Sequence, residues 1–101
     1  MDYADYLRRL TIDSPRFDEA PDPGETIGAK SRALIRLAAL VAASGAESSV
    51  HREIDDALAA GASATEIVEV LEIVMPLIGR SCVVKAAPKF ASALGVDADL
   101  R

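Results

Sequence analysis

Four glycines, Gly45, Gly61, Gly79 and Gly95, cut the chain beyond residue 29 into four apolar segments of similar length. Within each segment Ala, Val, Leu and Ile recur every three or four residues, and period-2 alternation is nowhere sustained. That spacing gathers the apolar side chains on one face of a helix, whereas a strand would need them at every second position. A glycine just past the last periodic residue is where a helix stops. The pattern predicts an all-α chain, with helices near residues 2–10, 29–43, 46–60, 64–78 and 80–94.

The segment from Lys30 carries Leu34, Ile35, Leu37, Leu40 and Val41 among alanines, with Lys30, Arg32 and Arg36 near its start. Such a helix is apolar nearly all round and belongs in the core or in an interface. Ser44 and Glu47 have the spacing of a capping box, and Val50, Ile54 and Leu58 follow at four-residue intervals up to Gly61. Ser63 and Glu66 repeat the box ahead of Ile67, Val68, Val70, Leu71, Val74, Met75, Leu77 and Ile78, and Pro76 is expected to kink the last turn. The final helix, from Arg80, presents Val83, Ala87, Phe90, Ala91 and Leu94 on one side and is expected to be interrupted at Pro88.

Before these segments, Asp2 can cap a short helix that puts Tyr3, Leu7 and Leu10 on one side and Arg8 and Arg9 toward solvent, as a docking arm would. From Thr11 to Thr26, Pro15, Pro21 and Pro23 stand among acidic residues and read as an extended connector. The expected organisation is an arm and connector over residues 1–26, one helical domain over 27–97 and a tail over 98–101.

Only 4% of the residues are aromatic although half are hydrophobic, so the core must be built from Ala, Val, Leu and Ile on closely packed helices. A chain of 101 residues buries a modest fraction of its surface. Its apolar content exceeds what one such core hides, which predicts a homo-oligomer with contacts from the helices at Lys30 and Ser63. The net charge of -5 and the dispersal of Lys and Arg argue against a nucleic-acid partner. No apolar run approaches the roughly 20 residues of a membrane helix. Met1-Asp2-Tyr3 precedes no basic stretch and apolar run, so no secretory signal is expected. The single cysteine, Cys82, cannot form an internal disulfide, which fits a reducing, cytoplasmic location.

A wider pattern links these segments. Lys30-Ser31-Arg32-Ala33-Leu34-Ile35 opens an apolar helix, and Ala57-Leu58-Ala59-Ala60-Gly61-Ala62-Ser63-Ala64-Thr65-Glu66-Ile67 follows. Glu69-Val70-Leu71, Pro76, Gly79, Val83-Val84, Ala86-Ala87-Pro88 and Ala93-Leu94-Gly95 complete the order. Together they resemble the carboxymuconolactone decarboxylase and alkylhydroperoxidase-D-like family over about residues 27–97. The resemblance implies a domain built on a helical hairpin, assembled as a homotrimer or homohexamer with sites at subunit contacts. The family includes lactone decarboxylases and thiol peroxidases. Its peroxidase type has an acidic residue in the first core helix, a Cys-x-x-Cys at the start of the second, and a His eight residues before the helix-ending Gly. Here the acidic slot is Ala33, the two cysteine slots are Ala46 and Ser49, and the histidine slot is Glu53. The resemblance is therefore to a short branch without the cysteine pair, and the only histidine, His51, stands two positions before the family slot.

Glu47, His51 and Asp55 fall at i, i+4 and i+8, a stripe in which carboxylates flank an imidazole suited to proton transfer; the same stripe also reads as a solvated, charged helix flank. Ser49 and Glu53, one turn apart in family site slots, can hydrogen-bond a small polar ligand or simply face water. Arg32 and Arg36, one turn apart on an apolar helix, call for an acid, either a protein carboxylate or an anionic substrate. Cys82, among Val83, Val84 and alanines, reads as a small hydrophobe.

Three functional classes follow. The first is acid–base chemistry without metal or cofactor, a decarboxylation or isomerisation of a small organic acid or lactone, with His51, Glu53 and Glu47 as catalytic candidates and Ser49, Arg36 and Arg32 as binding candidates. The second is thiol peroxidase activity, which the missing cysteine pair disfavours. The third is a non-catalytic oligomer for binding or scaffolding. Peroxidase turnover needs a second thiol to resolve the sulfenic acid, and the chain has only Cys82. Thiol-dependent consumption of peroxide by the purified protein should stay at background; robust turnover abolished by Cys82→Ser would overturn this expectation.

Overall fold

The computed structural model describes residues 3–12 and 26–96, and among these the only regular elements are helices: α1 (Tyr3–Ile12), α2 (Ala29–Ala42), α3 (Glu47–Ala59), α4 (Ala64–Ile78) and α5 (Arg80–Leu94). Asp2 as a cap, the proline-bearing part of the connector and the tail lie outside the described residues. Helices α2 to α5 form a bundle in which neighbours follow the cyclic order α2, α3, α5, α4, and the α2–α3 pair packs most extensively. Helix α1 touches none of them. No helix among the described residues is long and apolar enough to cross a membrane.

One residue in three or four from each helix enters the core. Ala33, Leu37 and Val41 come from α2, Val50, Ile54 and Ala57 from α3, Ile67, Val70, Leu71 and Val74 from α4, and Val83, Ala86 and Phe90 from α5. Two faces differ from the sequence reading by one position. Ala57 rather than Leu58 completes the buried face of α3, and Ala86 rather than Ala87 that of α5. Steps of three and of four residues both return close to the same face of a helix, so the spacing from Ile54 or Val83 does not choose between the two positions. The core holds no polar side chain among the described residues.

The helix ends follow from backbone hydrogen bonding. Ser44 takes the left-handed conformation (φ 57°), donating to Val41 O at 3.2 Å while Gly45 N–H donates to Leu40 O at 2.8 Å. This closes α2 as a Schellman turn. Ser44 is thereby committed to the end of α2, so the expected box with Glu47 does not form, and α3 starts on Ala46 without a side-chain cap. At α4 the expected box is present: Glu66 N–H donates to Ser63 Oγ (3.0 Å) and Ser63 N–H donates to Glu66 Oε1 (2.9 Å). Lys30 Nζ donates to the other Glu66 oxygen at 3.1 Å, tying the first turn of α2 to that of α4.

Pro76 lies inside α4 and Pro88 inside α5, and α5 runs through Pro88 without the expected interruption. Each proline removes the donor to the carbonyl four residues earlier. Those carbonyls belong to Glu72 and Val84, exposed residues where water can serve instead. Helices α4 and α5 are joined by Gly79 alone, at φ 94° and ψ 153°, a conformation essentially reserved for glycine. A Cβ there would meet no atom within 4 Å, so any penalty for a side chain is purely conformational.

Two outcomes follow. Gly79→Ala should destabilise the fold by about 1–3 kcal/mol, whereas Gly28→Ala, at an ordinary φ of -66° in equally open space, should cost less, only the difference between Gly and Ala as the N-cap of α2; denaturant unfolding of both variants checks this. The hydrogen bond from the Ser63 backbone, aided by Lys30, holds the Glu66 carboxyl below its ordinary value of 4.5. A pKa depressed by folding means that the ionised form stabilises the native state, fully above the ordinary value and decreasingly as pH falls through the folded one. The gap in unfolding midpoint between the wild type and Glu66→Gln should be constant near neutrality and close on acidification below 4.5.

Candidate functional site

The α2–α3 hairpin leaves a groove along its outer seam. Arg36, Ala39, Leu40 and Ala43 line it from α2, and Ser49, Arg52 and Glu53 from α3. These are helical neighbours at i, i+3, i+4 and i+7 on one side and i, i+3 and i+4 on the other. The groove has a volume of about 440 Å³ and opens to solvent. Its floor is alanine and leucine, and its charged groups stand on the walls.

Across the groove Arg36 Nε donates to Glu53 Oε1 at 3.1 Å. The Glu53 side chain is 17% exposed and that of Arg36 is 51% exposed. A pair so open on the arginine side contributes roughly 0.2–1 kcal/mol to the fold. Its larger effect is orientation: one carboxylate oxygen is engaged, and Glu53 is held at the seam. Arg36 keeps donors beyond the one that meets Glu53, because a guanidinium has five.

The sequence candidates divide between two faces of α3 and the start of α2. Arg36, Ser49 and Glu53 come together in the groove. His51 and Glu47 lie on a second face, where His51 Nε2 is 4.0 Å from Glu47 Oε2. With Ser48, Asp55 and Asp56 they border a shallow depression open to solvent. Helix rotation separates Glu53 from His51 by about 200°. Arg32 belongs to neither group: its guanidinium donates to the Ile27 backbone carbonyl at 2.9 Å, ahead of α2. The guanidinium of Arg36 is also less enclosed than an apolar helix suggested, because the groove admits solvent beside it.

Arg52 is the groove residue that the sequence reading passed over. It lines both the groove and the depression around His51. The signal was present in its position three residues after Ser49 and next to Glu53, but its wall could be recognised only once Arg36 was known to face the same seam. Cys82 lies elsewhere, half-buried on α5, beside Lys85 and Lys89 in a cleft of about 50 Å³ under the α2–α3 turn. No group of three or more His, Cys, Asp or Glu among the described residues is arranged to hold a metal ion.

No curated protein and no solved structure matches the chain. The sequence model of the carboxymuconolactone decarboxylase family matches residues 16–96, which includes α2, α3, α4 and α5 entirely and begins within the connector. A match over most of the chain, on a purely helical bundle organised around the α2–α3 hairpin, assigns the protein. The chain belongs to the carboxymuconolactone decarboxylase family.

Proposed function

We propose that the α2–α3 groove binds a small carboxylated lactone or related organic acid and moves a proton on it without a cofactor. The observation that carries this reading is the Arg36–Glu53 pair, set in an otherwise apolar groove with Ser49 and a second guanidinium, Arg52, on its walls. Two guanidiniums and one carboxylate leave a net positive wall, which suits an anionic substrate. The family assignment supports the lactone class.

In this scheme Arg52 holds the substrate carboxylate, with Ser49 as an additional hydrogen-bond partner. Glu53 takes a proton from the carbon next to the lactone carbonyl; the C–H electron pair moves into an enolate, and the oxygen's charge is met by the donors that Arg36 has to spare. The protonated Glu53 then returns the proton to another carbon of the conjugated system, so that a double bond migrates and the carboxylate is regenerated. The alanine and leucine floor gives the ring an apolar surface to rest on.

The test is exchange of substrate carbon-bound hydrogen with solvent deuterium, followed by NMR on a panel of unsaturated carboxylated lactones. Glu53→Gln should lower the rate by about 10²-fold or more, Arg52→Ala should chiefly raise KM, and His51→Gln should leave both constants near wild type. The opposite pattern, with His51→Gln inactive and Glu53→Gln active, would move the chemistry to the stripe of Glu47, His51 and Asp55. Absence of exchange and of ligand-induced shifts across the whole panel would leave the fold without this activity.

A further inference from the structure

A second apolar surface is formed by α2 and α4, on a face of α2 other than the one that lines the α2–α3 groove. Leu34, Ile35 and Ala38 of α2 and Val70, Ile73 and Val74 of α4 line a second groove, of about 310 Å³. Ile35 is 56% exposed and Ile73 68%. One turn beyond Ile73 on α4, Leu77 is 83% exposed. Isoleucines and leucines presented side by side to water, rather than scattered singly, mark a contact surface.

Helix α1 has the complementary features. Tyr3, Leu7 and Leu10 are exposed at i, i+4 and i+7, a stripe that packs against none of helices α2 to α5. A ten-residue helix is about 15 Å long, the length that the stretch from Glu66 to Leu77 offers along α4. The charges match as well. Helix α4 carries Glu66, Glu69 and Glu72 and no basic residue, and Glu66 and Glu69 border the groove. Helix α1 has the sequence of a basic helix, with two arginines to one acid, and Arg8 donates to Asp5 at 2.7 Å while keeping further donors.

Residues 13–28 connect α1 to α2. Fully extended, that tether reaches about 50 Å, enough to leave the bundle it belongs to. Among the described residues α1 and the α2–α4 groove stay apart, with Tyr3 and Leu7 on the helix and Ile35 and Ile73 in the groove exposed.

We infer that α1 is an exchange arm: its Tyr3, Leu7 and Leu10 stripe seats in the α2–α4 groove of a second copy of this chain, with Arg8 flanking the acidic side of α4. The exchange covers both bare faces at once and makes α1 part of the contact that joins the copies. It is independent of the chemistry proposed for the α2–α3 groove.

Cross-linking between differently substituted full-length chains tests the inference. In a Cys82→Ser background, one chain carries Leu7→Cys and the other Ile73→Cys; the two are mixed, oxidised and resolved by mass. A disulfide-linked species containing one chain of each kind is the expected product. A chain carrying both substitutions that instead closes an internal disulfide, or a mixture that gives no mixed species, overturns the exchange. Leu7→Asp in the otherwise native chain should weaken self-association by at least about tenfold in sedimentation while the helical circular dichroism of the bundle persists, because α1 lies outside the core. Unchanged association with Leu7→Asp overturns the inference too, and Ile73→Asp gives an independent reading from the groove side.

Discussion

The bundle depends on the close approach of helix faces that carry alanine where bulkier cores carry leucine or phenylalanine. Ala33 on α2, Ala57 on α3 and Ala86 on α5 are buried beside Leu37, Ile54 and Phe90, and none of these positions could enlarge without pushing helices apart. A fully buried Leu37 or Ile54 is worth about 1.5–3 kcal/mol, several times an exposed ion pair. Packing therefore sets the spacing of α2 and α3, and the Arg36–Glu53 contact at 3.1 Å is a result of that spacing and not its cause. The same economy has a second effect: when small residues fill the centre, larger ones such as Ile35, Ile73 and Leu77 are left at the periphery.

Most of the architecture was legible because its signals are local. The limits of α4 and α5, the Ser63–Glu66 box and the glycine stops depend on residues within one turn of each other. The misreadings arose where two local signals competed. Ser44 satisfies the pattern of a cap for α3, but it had already been taken by the end of α2, where Gly45 makes a close approach to Leu40. Leu58 lies four residues after Ile54 and Ala57 three, both spacings of one helix face, and only the partner helices decide which one turns inward. Pro88 reads as a break, yet the helix continues, because the carbonyl that loses its donor belongs to exposed Val84, where water can serve.

The candidate site was legible as a set of residues but not as a place. Periodicity along α3 shows that Glu53 and His51 face apart; it does not show which of them has a partner from another helix. That information lies in the seventeen-residue separation of Arg36 and Glu53, which becomes a contact only after the hairpin closes. Arg52 escaped notice for the same reason, since a charged residue on a polar flank carries no local mark of the wall it will line.

The joint at Gly79 has a consequence for how the molecule comes together. Connections inside the bundle run to a few residues at most, and between α4 and α5 to one, so closing them costs little chain entropy and places the domain among folds whose rate is set by local contacts. Helix α1, by contrast, is separated from α2 by sixteen residues of sequence and, among the described residues, packs against none of the bundle helices. Formation of the bundle is thus a unimolecular event, indifferent to how many other molecules are present, and among the described residues it draws on no contact with α1.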